Sequence, residues 1–180
     1  MKAIVFDLGE TLVDETRQWE ESADASGVPR FTYMALAGAA IARGEQPRRE
    51  HVASPFVDAD LYPDALPTLA ALRERGVRVG VVGNMAAGNE AFIAPHVDFV
   101  ASSERWGVEK PSPQFFARVC EAAGCDAPEV TYVGDRVDND VAPALAFGMG
   151  AVHIRRGPWG HLHATPPGVR RIDSLAELVA

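Results

Sequence analysis

The sequence predicts an α/β fold of three layers, a parallel sheet flanked by helices, with a small α-helical cap inserted near its start. Three observations lead there. Short apolar runs rich in Val and Ile alternate with longer segments of helical character. Most of these runs lead into a loop and then a helix rather than into a two-residue hairpin. Strands joined that way must run parallel, because a parallel pair needs a long crossover connection. Finally, one block, residues 14–61, breaks the alternation.

The first run, Ala3–Phe6, stops at Asp7 and reads as a buried strand. Val77–Val82, Thr131–Val133 and Ala151–Ile154 read the same way, Phe99–Ala101 as a short fifth strand and Val169–Ile172 as an edge strand. Between them, Asp64 is placed to cap a helix over Ala65–Arg75, with Pro67 tolerated in its first turn and Gly76 ending it. Ser112-Pro113 starts Gln114–Ala123, and Gly124 stops it. Asp138 or Asn139 opens a helix running to Phe147, and Ser174 caps Leu175–Val179. Ala86–Ala94 is also expected to be helical.

Residues 14–61 are polar at first, turn at Gly27-Val28-Pro29, and are apolar from Phe31 to Ile41. Two helices with a turn are expected. The block follows the first strand directly, so it should project over the strand tips. The division is therefore a core of residues 1–13 and 62–180 with a cap of residues 14–61.

Composition narrows the function. With 180 residues, 47% apolar and 23% charged, the chain suits one domain with a small insertion. It has no apolar run of about 18 residues, which argues against a membrane span. The start, MKAIVFDLGE, meets an acid too soon for a signal peptide. A net charge of -8 argues against nucleic-acid binding by bulk electrostatics. Cys120 and Cys125 make no disulfide framework, and a cytoplasmic location is expected. Nothing in the sequence sets an oligomeric state.

Ligands of such sheets bind at the carboxyl ends of the strands. Asp7, Asn84 and Asp135 each follow a strand, so they should share one rim. Four segments fall on it: Val5-Phe6-Asp7-Leu8-Gly9-Glu10-Thr11-Leu12, Val79–Asn84, Glu109-Lys110-Pro111-Ser112-Pro113, and Tyr132–Asp140. Asp7, Asp135 and Asp140 would repel one another unless a hard cation such as Mg²⁺ joined them. Lys110 is a compact charge suited to a phosphoryl group. Its choice is pointed, since only Lys2 and Lys110 are lysines among 17 basic residues. The turn Gly9–Thr11 and the amides at Gly83-Asn84 can donate N–H bonds to phosphoryl oxygens. Such a set describes phosphoryl transfer, with a carboxylate as nucleophile. Trp19 and Trp106 are both expected to pack in the core or cap. Trp106, in the loop before Lys110, is also placed where it could line the pocket.

The four segments, in this order, resemble the motifs of the haloacid dehalogenase (HAD) superfamily over the whole chain. Tyr62-Pro63 before a helix ending at Arg75-Gly76 fits as well, as does Ala146-Phe147-Gly148-Met149 before a strand ending at Arg155-Arg156-Gly157. The resemblance implies a Rossmann-like core and a Mg²⁺-dependent phosphohydrolase acting on a small phosphorylated metabolite. It makes Asp7 the nucleophile and a metal ligand, with Gly9 offering its backbone carbonyl to the ion. Asp135 would bind the metal, with Asp140 binding or supporting it. Lys110 would neutralise Asp7 and the phosphoryl group, while Gly83 and Asn84 border the phosphate.

Two positions depart from the family pattern. The phosphatases usually carry a second Asp, the general acid and base, two residues after the nucleophile; here that residue is Gly9. Where a Ser or Thr usually binds phosphate, this chain has Gly83. The first loss removes an effect worth about 10²–10⁴-fold. The second removes a hydrogen bond worth roughly 1.5–3 kcal/mol. A slow enzyme is the expectation, with a degenerate binding protein as the alternative and a haloacid dehalogenase as a weaker one. Glu10 is adjacent to Gly9, but successive side chains near a strand end tend to point different ways. Asp14, or an acid or histidine delivered by the cap, remains as a substitute.

Overall fold

The computed structural model describes residues 1–47 and 54–180. Six parallel strands form one sheet in the order β3-β2-β1-β4-β5-β6. They are β1 (Ala3–Phe6), β2 (Arg78–Gly83), β3 (Phe99–Ser102), β4 (Val130–Gly134), β5 (Gly150–Ile154) and β6 (Arg170–Ile172). The helices are α1 (Thr16–Ser26), α2 (Arg30–Ala42), α3 (Ala65–Glu74), α4 (Glu90–Ile93), α5 (Ser103–Trp106), α6 (Pro113–Ala123), α7 (Ala142–Phe147) and α8 (Gly157–Leu162).

Side-chain alternation along each strand feeds two separate cores. Ile4 and Phe6 of β1, Val79 and Val81 of β2 and Val133 of β4 pack with Leu69 and Leu72 of α3. Ala3, Val5, Val82, Val130 and Tyr132 face the other way, onto Phe115, Phe116 and Val119 of α6. The sheet is thus covered on both faces, which is why its strands read as unbroken apolar runs. The edge strand β6 is only Arg170–Ile172, and just Ile172 of it is buried.

The chain order places β1 at the switch point. After β1 the chain goes to β2 on one side and reaches β4 only later, on the other. Crevices for ligands form at such points. Phe6 is in register with Val81 and with Val133, and the amide of Asp7 donates to the carbonyl of Val133 at 2.9 Å. β2 runs two residues and β4 one residue past the end of β1, so the residues that follow these neighbouring strands share one rim.

The expected insertion contains the two predicted helices. Gly27, at φ 69° in the left-handed region, makes the break between α1 and α2. Trp19, Ala23, Tyr33, Ala37 and Ile41 form a third apolar cluster, closed by Trp159 of α8. Trp19 and Trp159 lie 6.0 Å apart, so the helical pair rests on the core through an aromatic contact. Residues 48–53 of the expected cap lie outside the described residues.

Several local expectations are corrected. Asp64 precedes α3 but makes no side-chain cap. Its carboxylate instead accepts from Arg156, from the Ser174 hydroxyl at 2.6 Å and from the Leu175 amide at 2.9 Å. Ser112 precedes α6 without capping it and turns its hydroxyl to Gln114. The segment 86–94 is not one helix but a 3₁₀ turn, the four-residue α4 and a second 3₁₀ turn. Leu175–Leu178 is a 3₁₀ turn, although Ser174 does cap it. α7 starts at Ala142, behind a wide π turn over Val137–Val141 that swings Asp140 inward. Trp106 packs edge-on against Phe115, as expected of a core side chain, and does not reach the cavity, which Trp19 lines.

Candidate active site

The polar side chains of the rim converge. Asp7, Asp135 and Asp140 offer carboxylate oxygens that all lie within 4.8 Å of one another. Asp7 follows β1 and Asp135 follows β4, while the π turn brings Asp140 back beneath them. Lys110 arrives from the loop before α6, and its Nζ lies 2.8 Å from Asp7 Oδ1 and 2.6 Å from Asp140 Oδ1. The sequence contrast between the lysines is reproduced in space. Lys2 is 69% exposed and pairs with Glu129, whereas the side chain of Lys110 is 1% exposed.

Each group is fixed by a neighbour. The amide of Asn84 clamps the backbone of Lys110: Nδ2 donates to the Lys110 carbonyl at 3.0 Å, and Oδ1 accepts from its N–H at 2.8 Å. The backbone N–H of Arg136 donates to Asp140 Oδ2 at 2.9 Å. His153, wholly buried, lies with Nε2 3.0 Å from the carbonyl of Asp135 and with Nδ1 2.7 Å from the Thr165 hydroxyl. It holds the Asp135 loop. The sequence signal for it was weak, since a lone histidine inside a strand ordinarily reads as core.

The charges do not balance by themselves. Burial works against the Lys110 ammonium, but Asp140 and Asp7 outweigh it and hold the group well above its usual range. Burial pushes Asp140 up to about 6, restrained by Lys110. Asp135 is raised well above the ordinary carboxylate range by burial and by the charges of Asp140 and Asp7. Its Oδ2 is buried and accepts no hydrogen bond among the described residues. A buried carboxylate oxygen left so is costly. An all-oxygen donor set with such an oxygen aimed into it fits a hard divalent cation, and Mg²⁺ suits a few carboxylates with waters and a phosphate.

A cavity of about 480 Å³ opens over the cluster. Asp7, Gly9, Asn84, Lys110 and Asp135 line it, together with Glu15, Gln18, Trp19 and Trp159. Gly83 lies beneath, and a Cβ built on it would collide with Asp7 Oδ1. The space a serine would use there belongs to the Asp7 carboxylate. Glu10, which sits at φ 49° in the left-handed region, is buried and pushed up to about 7 by burial and by the charge of Glu15. Its carboxylate accepts from the Tyr62 hydroxyl at 2.7 Å and from the Glu15 amide at 3.2 Å. The expectation that Glu10 points elsewhere agrees with these bonds.

Known proteins resemble this chain over part or most of its length. The chain is 40% identical over 104 residues to a glyceraldehyde 3-phosphate phosphatase of Methanopyrus kandleri, covering 54% of this chain and 45% of that one. It is 35% identical over 124 residues to a glyceraldehyde 3-phosphate phosphatase of Methanocaldococcus jannaschii, covering 66% and 54%. The chain therefore spans about half the length of these curated relatives. A solved HAD-hydrolase from Bacillus subtilis, bound to magnesium, superposes with a TM-score of 0.72 over 98% of this chain and 96% of that one. At 15% identity that likeness speaks for the fold alone. The family model for haloacid dehalogenase-like hydrolases matches residues 1–148, and the chain belongs to that family.

Proposed function

We propose that the protein is a phosphatase that hydrolyses a small phosphorylated metabolite through an aspartyl-phosphate on Asp7. One observation carries the reading: three carboxylates and a buried lysine meet under a cavity of a size that suits a small metabolite. The names of the curated relatives support the substrate class. Asp7, the carbonyl of Gly9, Asp135 and Asp140 would hold a Mg²⁺ ion. When bound, the ion neutralises carboxylates and phosphoryl oxygens alike. The two-helix segment acts as the cap, and the amides at Gly83 and Asn84 border the phosphate. The same reading puts the enzyme in the cytoplasm. No helix among the described residues is long and apolar enough to cross a membrane.

The chain's own residues have divided tasks. Lys110 holds Asp7 by one oxygen, which leaves the other to approach phosphorus in line. As the phosphoryl group moves onto Asp7, the ammonium compensates charge on both carboxylates, and no side chain has to reorganise. Asn84 keeps the lysine in place through its backbone. This positioning is the main catalytic device in phosphoryl transfer. The alternative of a haloacid dehalogenase fits less well, because the three acids would repel an anionic substrate that brought no cation.

A panel of small phosphate esters tests the proposal, assayed with Mg²⁺ and with the metal chelated. Phosphate release that needs the metal and falls at least about 10³-fold in Asp7→Asn is the expected result. No release above the Asp7→Asn background would leave a metal-binding protein with a degenerate site.

A further inference from the structure

The missing acid–base residue poses a question that the cavity answers. A Cβ placed on Gly9 would sit 2.6 Å from Oε1 of Glu15 and 2.9 Å from its Cδ. The carboxylate of Glu15 thus occupies the place from which an aspartate at position 9 would extend. Glu15 also lines the same cavity as Asp7, Lys110 and Asp135.

The ordinary use of an acid at this point is to serve the start of α1. That task is done by Asp14, whose Oδ1 accepts from the N–H of Thr16 at 2.7 Å. Glu15 stands at the N-cap position itself yet makes no side-chain cap bond. Its carboxylate turns inward over Gly9 instead. Asp14 is one of the substitutes the sequence offered, and this bond assigns it elsewhere. Glu10 is occupied by Tyr62 and the Glu15 amide. Trp19, one turn further along α1, belongs to the aromatic cluster with Tyr33 and Trp159, which seats this end of the helix.

We infer that Glu15, brought in from the inserted helices, is the general acid and base of the reaction, acting in place of the residue that Gly9 lacks. The inference rests on the phosphatase reading above. In the first step an oxygen of Asp7 bonds to phosphorus, and the bond from phosphorus to the ester oxygen breaks. Its electron pair stays on the leaving oxygen, which takes the proton of Glu15 and departs as an alcohol. In the second step ionised Glu15 takes a proton from water as the water oxygen attacks phosphorus. The bond between phosphorus and Asp7 breaks, its electron pair returns to the Asp7 carboxylate, and phosphate leaves. Glu15 ends protonated, as it began, and the sum is ester plus water giving alcohol plus phosphate. Gly9 is then no defect: the absence of a side chain is what admits Glu15.

The test compares an alkyl ester, glycerol phosphate, with an aryl ester, nitrophenyl phosphate. The aryl oxygen leaves without needing a proton. Glu15→Gln should lower turnover of the alkyl ester about 10²–10⁴-fold. With the aryl ester, phosphorylation of Asp7 should persist while its hydrolysis slows, so phosphorylated protein accumulates and is seen by intact mass. Glu15→Ala combined with Gly9→Asp should recover alkyl-ester turnover above that of Glu15→Ala alone, since the smaller residue clears the space the new side chain enters. Equal losses on both esters with no accumulation and no recovery would mean a structural role and overturn the inference. So would an unchanged Glu15→Gln enzyme whose activity Asp7→Asn still abolishes, and that result would leave the phosphatase reading standing. Wild-type protein no better than Asp7→Asn on either ester would instead sink that reading, and this inference with it.

Discussion

Two glycines on the rim stand where family members usually have working side chains, and the structure treats them in opposite ways. At Gly83 the vacated space is filled from the sheet rim itself, by the carboxylate of Asp7. At Gly9 it is filled from outside, by Glu15 at the start of the inserted helices. The first exchange tightens the floor of the site around its nucleophile and lysine. The second makes the chemistry depend on how the helical pair is seated. A missing motif residue is therefore not by itself a missing function; what matters is which atoms have moved into its place.

The floor is where the largest effect is expected. Lys110, itself buried, joins the partly exposed Asp7 to the buried Asp140, and Lys110→Met would leave both carboxylates without their cation. Breaking such a pair costs about 3–5 kcal/mol, so a large drop in unfolding free energy is predicted, partly restored by Mg²⁺. Stability unchanged by the substitution in metal-free protein would show that the pair does not hold the floor together.

Next comes the contrast between the glycines. Gly83→Ser restores the family's usual hydroxyl, but its Cβ meets the short Asp7 side chain on the oxygen that Lys110 holds. Overpacking of this kind costs about 1–3 kcal/mol, and phosphatase turnover should fall with it. Gly9→Ala meets only the end of a longer glutamate side chain, which can swing aside, so its stability should change less. Thermal unfolding of the two variants compares them directly, and a gain in activity from Gly83→Ser would break the contrast.

The comparison also has a pH dependence. Asp140 is pushed up to about 6 and Glu10 to about 7 in the folded state, against 3.8 and 4.5 ordinarily. The folded protein therefore binds more protons than the unfolded chain between those values. Its metal-free stability should fall as pH rises from about 4 to about 7. Mg²⁺ requires the ionised carboxylates, so the rise in Tm on adding it should be larger near pH 7.5 than near pH 5. A metal effect equal at both pH values would argue against binding through these acids.

How far the sequence could be read depends on how local the cause is. The strand tips were legible because a buried parallel strand is a continuous apolar run, and the residue that ends it stands out, as Asp7, Asn84 and Asp135 do. Lys110 was legible from its rarity. The helical pair followed from Gly27 and the shift from polar to apolar residues. By contrast, Asp64 reads as a helix cap until the fold brings Ser174, 110 residues away, to its carboxylate. The π turn over Val137–Val141 has no pattern of its own, since it follows from Asp140 reaching Lys110 and the Arg136 amide. Glu15 looked like any acid at a helix start. Its position over Gly9 depends on how Trp19 and Trp159 seat α1, which no stretch of neighbouring residues encodes.

The most direct test of the whole reading is to find where the phosphoryl group goes. Protein mixed with Mg²⁺ and nitrophenyl phosphate, stopped in acid within one turnover and digested, should carry phosphate on the peptide containing Asp7. Glu15→Gln should carry more of it and Asp7→Asn none. Phosphate on another residue, or steady turnover with no label on that peptide in either protein, would contradict nucleophilic attack by Asp7.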